Sequence, residues 1–191
     1  MLNHRGTDTI KTQRLVLRPY LDGDGDAMYL NWANDEEVCR YLTWAPHESV
    51  LDSRRIVNDW AACYGSECYY HWAITRDGEL VGDIAVVRWN EQNEEAEIGY
   101  CLSRRLWGQG IMTEALRAVS LYLFDSIGFH RVMLRHDREN PASGRVMQKA
   151  GFRYEGCMKE AARRRDGTWA DLCLYGATRE DFQDNMEEQA L

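Results

Sequence analysis

AEIGYCLSRRLWGQGIMTEALRAVSLYL, residues 96–123, decides how the rest of the chain is read. It opens as a strand, with Ile98, Tyr100 and Leu102 on one face at period two and Glu97, Gly99 and Cys101 on the other. It then turns through Ser103–Gly110. From Met112 it becomes a helix, whose apolar Met112, Leu116, Val119, Leu123 and Ile127 recur at helical spacing. A strand, a glycine-rich basic turn and a helix N-terminus together suit phosphate. The first amides of a helix have no internal partner and carry the positive end of its dipole. Gly108 and Gly110 let the backbone approach closely, and Arg104 and Arg105 add positive charge.

Outward from this stretch, the pattern predicts strands and helices in alternation. Residues 1–11 read as a loose lead-in and Arg14–Pro19 as a first strand ending at a proline. The acidic turn Asp22–Asp26 starts a short helix, and Ser49–Tyr64 forms a longer one that buries Val57, Trp60, Ala61 and Tyr64. Tyr69–Thr75 and Leu80–Trp89 form a hairpin across Asp77-Gly78. After the central helix come a strand at Arg131–His136 and a helix that begins at Asn140-Pro141 and stops at Gly151. Tyr154–Ala162 and Trp169–Thr178 make a last hairpin, and Arg179–Gln189 is an acidic tail with weak helical character. The expected architecture is α/β (α+β): one mixed, mostly antiparallel sheet of about seven strands with about four helices. The 191 residues read as a single domain with its core at about 12–178.

Composition narrows the function. The chain is 45% hydrophobic and 28% charged, with a formal charge of −8, which argues against nucleic acid and suits a cationic partner such as an amine. No apolar run is long enough to span a bilayer, and MLNHRGTDTIKTQR lacks the apolar core of a signal peptide, so the expected location is cytoplasmic. Cys39, Cys63, Cys68, Cys101, Cys157 and Cys173 form no C-x-x-C pair, and no histidine has a ligand at metal spacing, so no metal is expected.

Arg105-x-x-Gly108-x-Gly110, between a strand and a helix, resembles the acyl-CoA signature of the GNAT superfamily of N-acyltransferases. Asn140-Pro141-Ala142-Ser143 with Val146, Lys149, Gly151 and Phe152 resembles a second block of that superfamily. EGCMKEA (155–161) and DGTWADLCLYG (166–176) are similar to the RimJ/RimL-type branch of ribosomal-protein N-terminal acetyltransferases. The resemblance implies acetyl-CoA as co-substrate and transfer of its acetyl group to a primary amine of a protein N-terminus or small molecule, by direct attack in a ternary complex. The enzyme would be a monomer or homodimer. Backbone amides of Tyr100, Cys101 and Leu102 would hold the acyl group and pantetheine, and a splayed strand end would leave an oxyanion donor. Arg104, Arg105, Leu106, Trp107, Gly108, Gln109, Gly110 and Ile111 would hold the diphosphate, with Asn140 and Ser143 also touching the cofactor.

Removing the amine's proton needs a base, for which Glu97 and Glu160 are the candidates. Glu97 has a second reading, as the ion-pair partner of Arg88 or Arg135. The superfamily's usual thiol-protonating tyrosine is replaced by Met147. Ser143 is the hydroxyl carried into that role, against a reading as a helix-start cap. Tyr41, Trp44, Trp72 and Trp169 are candidates to wall an acceptor pocket, or else core aromatics. The alternative function is an acyl-CoA-binding module without turnover.

Overall fold

A computed structural model describes residues 1–188, with the last three of these as backbone alone. The strands are β1 (Ile10–Lys11), β2 (Val16–Arg18), β3 (His71–Arg76), β4 (Glu79–Asn90), β5 (Glu95–Leu102), β6 (Arg131–Asp137), β7 (Arg153–Arg163) and β8 (Trp169–Thr178). The helices are α1 (Asp24–Met28), α2 (Glu36–Cys39), α3 (Val50–Cys63), α4 (Ile111–Leu121), α5 (Pro141–Ala150) and α6 (Arg179–Glu188). The strands form one mixed sheet in the order β1-β2-β3-β4-β5-β6-β8-β7. β5 and β6 run parallel, whereas β1/β2, β2/β3, β3/β4, β6/β8 and β7/β8 are antiparallel. The expected class holds, with eight strands in place of about seven and six helices in place of about four.

The chain divides into two compact units, and β4, β5 and α4 run through both. One unit comprises His4–Ala85 and Tyr100–Ala115. Its core gathers Tyr20, Met28, Trp32, Val57, Ala73, Leu80 and Cys101, onto which α3 packs Ile56, Trp60 and Tyr64. Here the lead-in departs from expectation, because it is tied down and supplies β1. The Gly6 amide donates to the Glu67 carbonyl at 2.6 Å, Thr7 Oγ1 to the Tyr69 carbonyl at 2.8 Å, and Trp72 Nε1 to the Asp8 carbonyl at 2.7 Å. Gly6 has φ +69°, and a Cβ there would meet the Ser66 carbonyl at 3.3 Å, so the close approach needs glycine.

The other unit comprises Met1–Asn3, Val86–Gly99 and the chain from Leu116 onward. Its core includes Val119, Leu123, Phe124, Ile127, Val132, Leu134 and Phe152. After Leu121 the helix widens into a π-helical turn, Tyr122–Ile127, and stops at left-handed Gly128. The acidic tail, read from the sequence as weakly helical, is α6, anchored by Phe182. Phe182 is fully buried, with its ring 5.4 Å from Phe124 and 5.3 Å from Phe152, which contributes about 2–3 kcal/mol. Asn185 adds a bond from its amide to the Gly151 carbonyl at 2.8 Å. Gln189, the last residue of the expected tail, lies outside the described residues. No helix among the described residues is long and apolar enough to cross a membrane.

Candidate functional site

The parallel ladder between β5 and β6 is confined to Glu95–Glu97 against Arg131–Met133, yet β5 continues to Leu102 and β6 to Asp137. The β5 backbone beyond Glu97 therefore lies outside that ladder, which is the geometry a splayed strand end requires. The Ser103 amide donates to the Val81 carbonyl at 2.8 Å, and Trp107 Nε1 reaches back to the Leu102 carbonyl at 2.9 Å. Arg104–Leu106 make one 3₁₀ turn. Gly108 and Gly110 then adopt φ +75° and +74°, the left-handed region that glycine enters without strain. A Cβ on Gly108 would meet nothing within 4 Å, so the turn is open on that side. Ile111 starts α4, and the first turn of α4 presents its amides outward.

Two residues that the sequence did not single out pin this turn. Arg14 donates through Nη1 to the Gln109 carbonyl at 3.0 Å and through Nε to Glu114 at 2.6 Å. Glu114 also accepts from Thr12 Oγ1 and the Arg14 amide. Burial pushes the Glu114 carboxyl up, but these donors outweigh it and hold it below its usual value. Arg104 pairs with Asp35 at 2.9 Å and Arg105 with Glu79. These are half-exposed surface pairs, worth little, which a diphosphate can displace. An open Gly108, a helix start and two exchangeable guanidiniums fit the diphosphate of a coenzyme A.

Glu97 lies in the second unit, its side chain only 6% exposed. Its Oε1 accepts from Arg135 Nε at 2.5 Å, and Oε2 has Arg88 Nη2 at 2.9 Å, an ionic contact without aligned hydrogen-bond geometry. The sequence left Arg88 and Arg135 as alternatives, and the carboxylate engages both. As a base it would have to release one of them. Glu160 sits on the irregular stretch of β7 between Met158 and Ala162, exposed, at φ +48°, its amide donating to Asp171 Oδ1 at 2.9 Å.

Asn140 caps α5, its side chain accepting from the Ser143 amide at 3.3 Å. Ser143 is half-buried in the first turn of α5, and Met147, one turn on, is buried. Beside them stands a hydroxyl the sequence did not single out. A Cβ on Gly144 would lie 3.2 Å from the Tyr175 hydroxyl and 2.6 Å from His136 Nε2, so Gly144 is obligatory and the phenol reaches the start of α5. Only the β6/β8 register, which pairs Leu134 with Tyr175, brings it there. The loop before α5 is fixed by Asp137, which accepts from Arg164 Nε at 2.6 Å and Nη2 at 2.9 Å.

Of the four aromatic candidates for an acceptor wall, Trp72 is corrected. It is fully buried, bonded to Asp8 and stacked on Tyr70, so it is core. Tyr41 and Trp44 share one half-buried loop, and Trp169 is exposed at the start of β8. The first unit holds a polar cluster the sequence did not reveal. Asp83 accepts from Tyr20 Oη at 3.3 Å, from His71 Nε2 at 3.3 Å and from Cys101 Sγ at 3.2 Å. Tyr69 Oη lies 3.0 Å from His71 Nδ1, and Trp60 packs its ring 4.2 Å from the imidazole.

Residues 14–153 match the model of the acetyltransferase (GNAT) domain. The chain belongs to the GNAT acetyltransferase family. It is 31% identical over 168 residues to the uncharacterized N-acetyltransferase YoaA of Bacillus subtilis, covering 87% of this chain and 94% of that one. It is 29% identical to the ribosomal-protein-serine acetyltransferase of Escherichia coli, covering 88% and 96%. The solved RimL acetyltransferase of ribosomal L7/L12, in complex with coenzyme A, has the same fold, with TM-score 0.80, 24% identity and coverage of 90% and 98%. The likeness to the ribosomal-protein-serine acetyltransferase supports a RimJ/RimL-like branch, and the chain is an acetyl-CoA-dependent N-acetyltransferase.

Proposed function

We propose that this acetyltransferase acts as a single GNAT-like domain and transfers the acetyl group to a primary amine, of a protein N-terminus or a small molecule, by direct attack in a ternary complex. The observation that carries the reading is the turn at Arg104–Gly110, with two left-handed glycines opening onto the start of α4. In it, Arg104–Ile111 hold the diphosphate, and the backbone of Tyr100–Leu102 binds pantetheine and polarises the acetyl carbonyl. The amine nitrogen attacks the carbonyl carbon, the C–N bond forms and the C–S bond breaks. The leaving thiolate takes a proton, for which Ser143 on α5 is the hydroxyl proposed from the sequence. Glu97 and Glu160 remain the bases proposed from the sequence. An acidic chain, formal charge −8, favours a cationic acceptor, and the ribosomal-protein acetyltransferase among its relatives makes a protein α-amine a fitting one.

The test is thiol release from acetyl-CoA with a panel comprising spermidine, benzylamine and a Ser-initiated hexapeptide with a free α-amine. Turnover of at least one amine, with coenzyme A bound in a direct titration, is the expected result. Coenzyme A binding without turnover of any amine would sink the reading.

A further inference from the structure

Buried carboxylates in this chain hold arginine. Glu97 holds Arg88 and Arg135, Asp137 holds Arg164, Asp24 holds Arg18 and Glu114 holds Arg14. Asp83 differs. Its side chain is 15% exposed, as deep as those of Asp24 and Glu114, and its one ion-pair contact among the described residues is with an imidazole, His71, and not with an arginine or lysine. A carboxylate placed among apolar neighbours without a cation is costly, and replacing such a group by an apolar one is often neutral or stabilising. Its place in the fold calls for something that meets its charge.

The two oxygens are unequal. Oδ2 takes both strong donors, the Tyr20 hydroxyl and His71 Nε2. Since a carboxylate only accepts, Nε2 carries a proton, and the Tyr69 hydroxyl meets the ring's other nitrogen, Nδ1, at 3.0 Å. Oδ1 has the Cys101 thiol, a weak donor. The under-served oxygen is therefore the one turned to β5, at the middle of the Tyr100–Leu102 segment. Around the carboxylate stand aromatic rings, Tyr20 with its centroid 5.0 Å from Trp60, and His71 5.3 Å from Tyr20. Burial first and the Asp83 charge second push both the Tyr20 phenol and the Cys101 thiol well up, so both stay protonated donors to it. A carboxylate with one weakly occupied oxygen, set beside aromatic side chains, is the chemistry that selects an alkylammonium ion.

We infer that Asp83 anchors the ammonium group of the acceptor, its Oδ1 receiving an N–H in place of the Cys101 thiol, with His71 and Tyr20 as positioning residues that hold Oδ2. The inference rests on the acetyl-transfer reading, which puts the acyl group on the β5 backbone beside Cys101. It assigns the acceptor class as an unhindered primary amine, bound as its ammonium ion and able to attack once its proton has passed to a base.

Steady-state kinetics with the amine panel tests it. Asp83→Asn keeps the shape and removes the charge. The KM of the accepted amine rises by about 10-fold or more, kcat changes less, and coenzyme A affinity stays within about twofold. Cys101→Ser puts a stronger donor on Oδ1 to compete with the substrate, and raises the same KM by about threefold. Methylammonium chloride competes with the amine in the wild type and loses that effect in Asp83→Asn. An unchanged amine KM in folded Asp83→Asn overturns the inference, as does a loss of coenzyme A affinity in step with KM, which marks a closed structural network. Should Asp83→Asn not fold, an unchanged KM in Cys101→Ser overturns it equally. A wild type that turns over no amine fails the acetyl-transfer reading itself, and shows this before any variant is made.

Discussion

Glu97 and Asp83 are two carboxylates withdrawn from water in different units of one chain, and they are satisfied in opposite ways. Glu97 sits between two guanidiniums, so its charge is spent inside the protein. Asp83 is held by a phenol, an imidazole and a thiol, so its charge is oriented but under-compensated. The contrast separates charges that hold the fold from charges that await a ligand. Charged neighbours, more than burial, tell the two apart.

The largest expected effect comes from adding a carboxylate where a ligand's phosphate belongs. Gly108→Glu introduces a side chain into open space on a left-handed residue, and its charge opposes the diphosphate. Coenzyme A affinity should fall by about 100-fold or more while the thermal melt drops by only the few degrees that about 1–2 kcal/mol of left-handed strain implies, as measured by titration calorimetry and circular dichroism. Retained affinity would remove the turn from the ligand-facing class.

Glu97→Gln should do the reverse. It strands two partly exposed arginines, so the melt falls by an amount equivalent to about 1–2 kcal/mol while coenzyme A affinity holds. A drop in turnover of about 100-fold with an unchanged melt would instead make Glu97 the base and break the contrast.

Ser143→Ala tests whether α5 belongs with the structural or the ligand-facing groups. A thiol of pKa about 8.5 leaves tolerably unaided, so turnover should drop by about 10-fold. If turnover is untouched and only the melt falls, Ser143 is a helix-start residue. Tyr175→Phe in the same assay then shows whether the neighbouring phenol supplies the proton.

The smallest effect is a pH-dependent one, from Arg164→Ala. Burial pushes the Asp137 carboxyl up, but Arg164 and the Glu139 amide outweigh it and hold it below its ordinary value. A lowered carboxylate stabilises the fold above its unfolded pKa, near about 4, and that contribution is lost as pH falls through the lower folded value. Without Arg164 the burial effect is opposed mainly by the Glu139 amide, and the group contributes less. The melting difference between wild type and variant should be about 4 °C at pH 7 and shrink on acidification below about pH 4. A difference independent of pH would show that the pair acts by packing rather than charge.

What the sequence determined by itself was local. The turn glycines, the Asn140-Pro141 start and Gly151 stop of α5, and the Asp77-Gly78 hairpin all lie in the structure where their residue types place them. Each encodes a backbone angle or a hydrogen bond closed within a few residues, so neighbouring letters suffice. Tertiary structure alone decided which charges are spent. Arg14 reaches Glu114 and Gln109 across about a hundred positions. The Glu97 choice between Arg88 and Arg135 was undecidable from spacing, and the fold uses both. Trp72 read as wall or, more readily, core, and its bond to Asp8 makes it core, while Phe182 anchors a tail whose sequence shows only weak helical character. Asp83, His71 and Cys101 come from three strands, and each is unremarkable in its own segment. Only the order of strands in the sheet sets them side by side, because partners distant in sequence are chosen by topology, on which local propensity is silent.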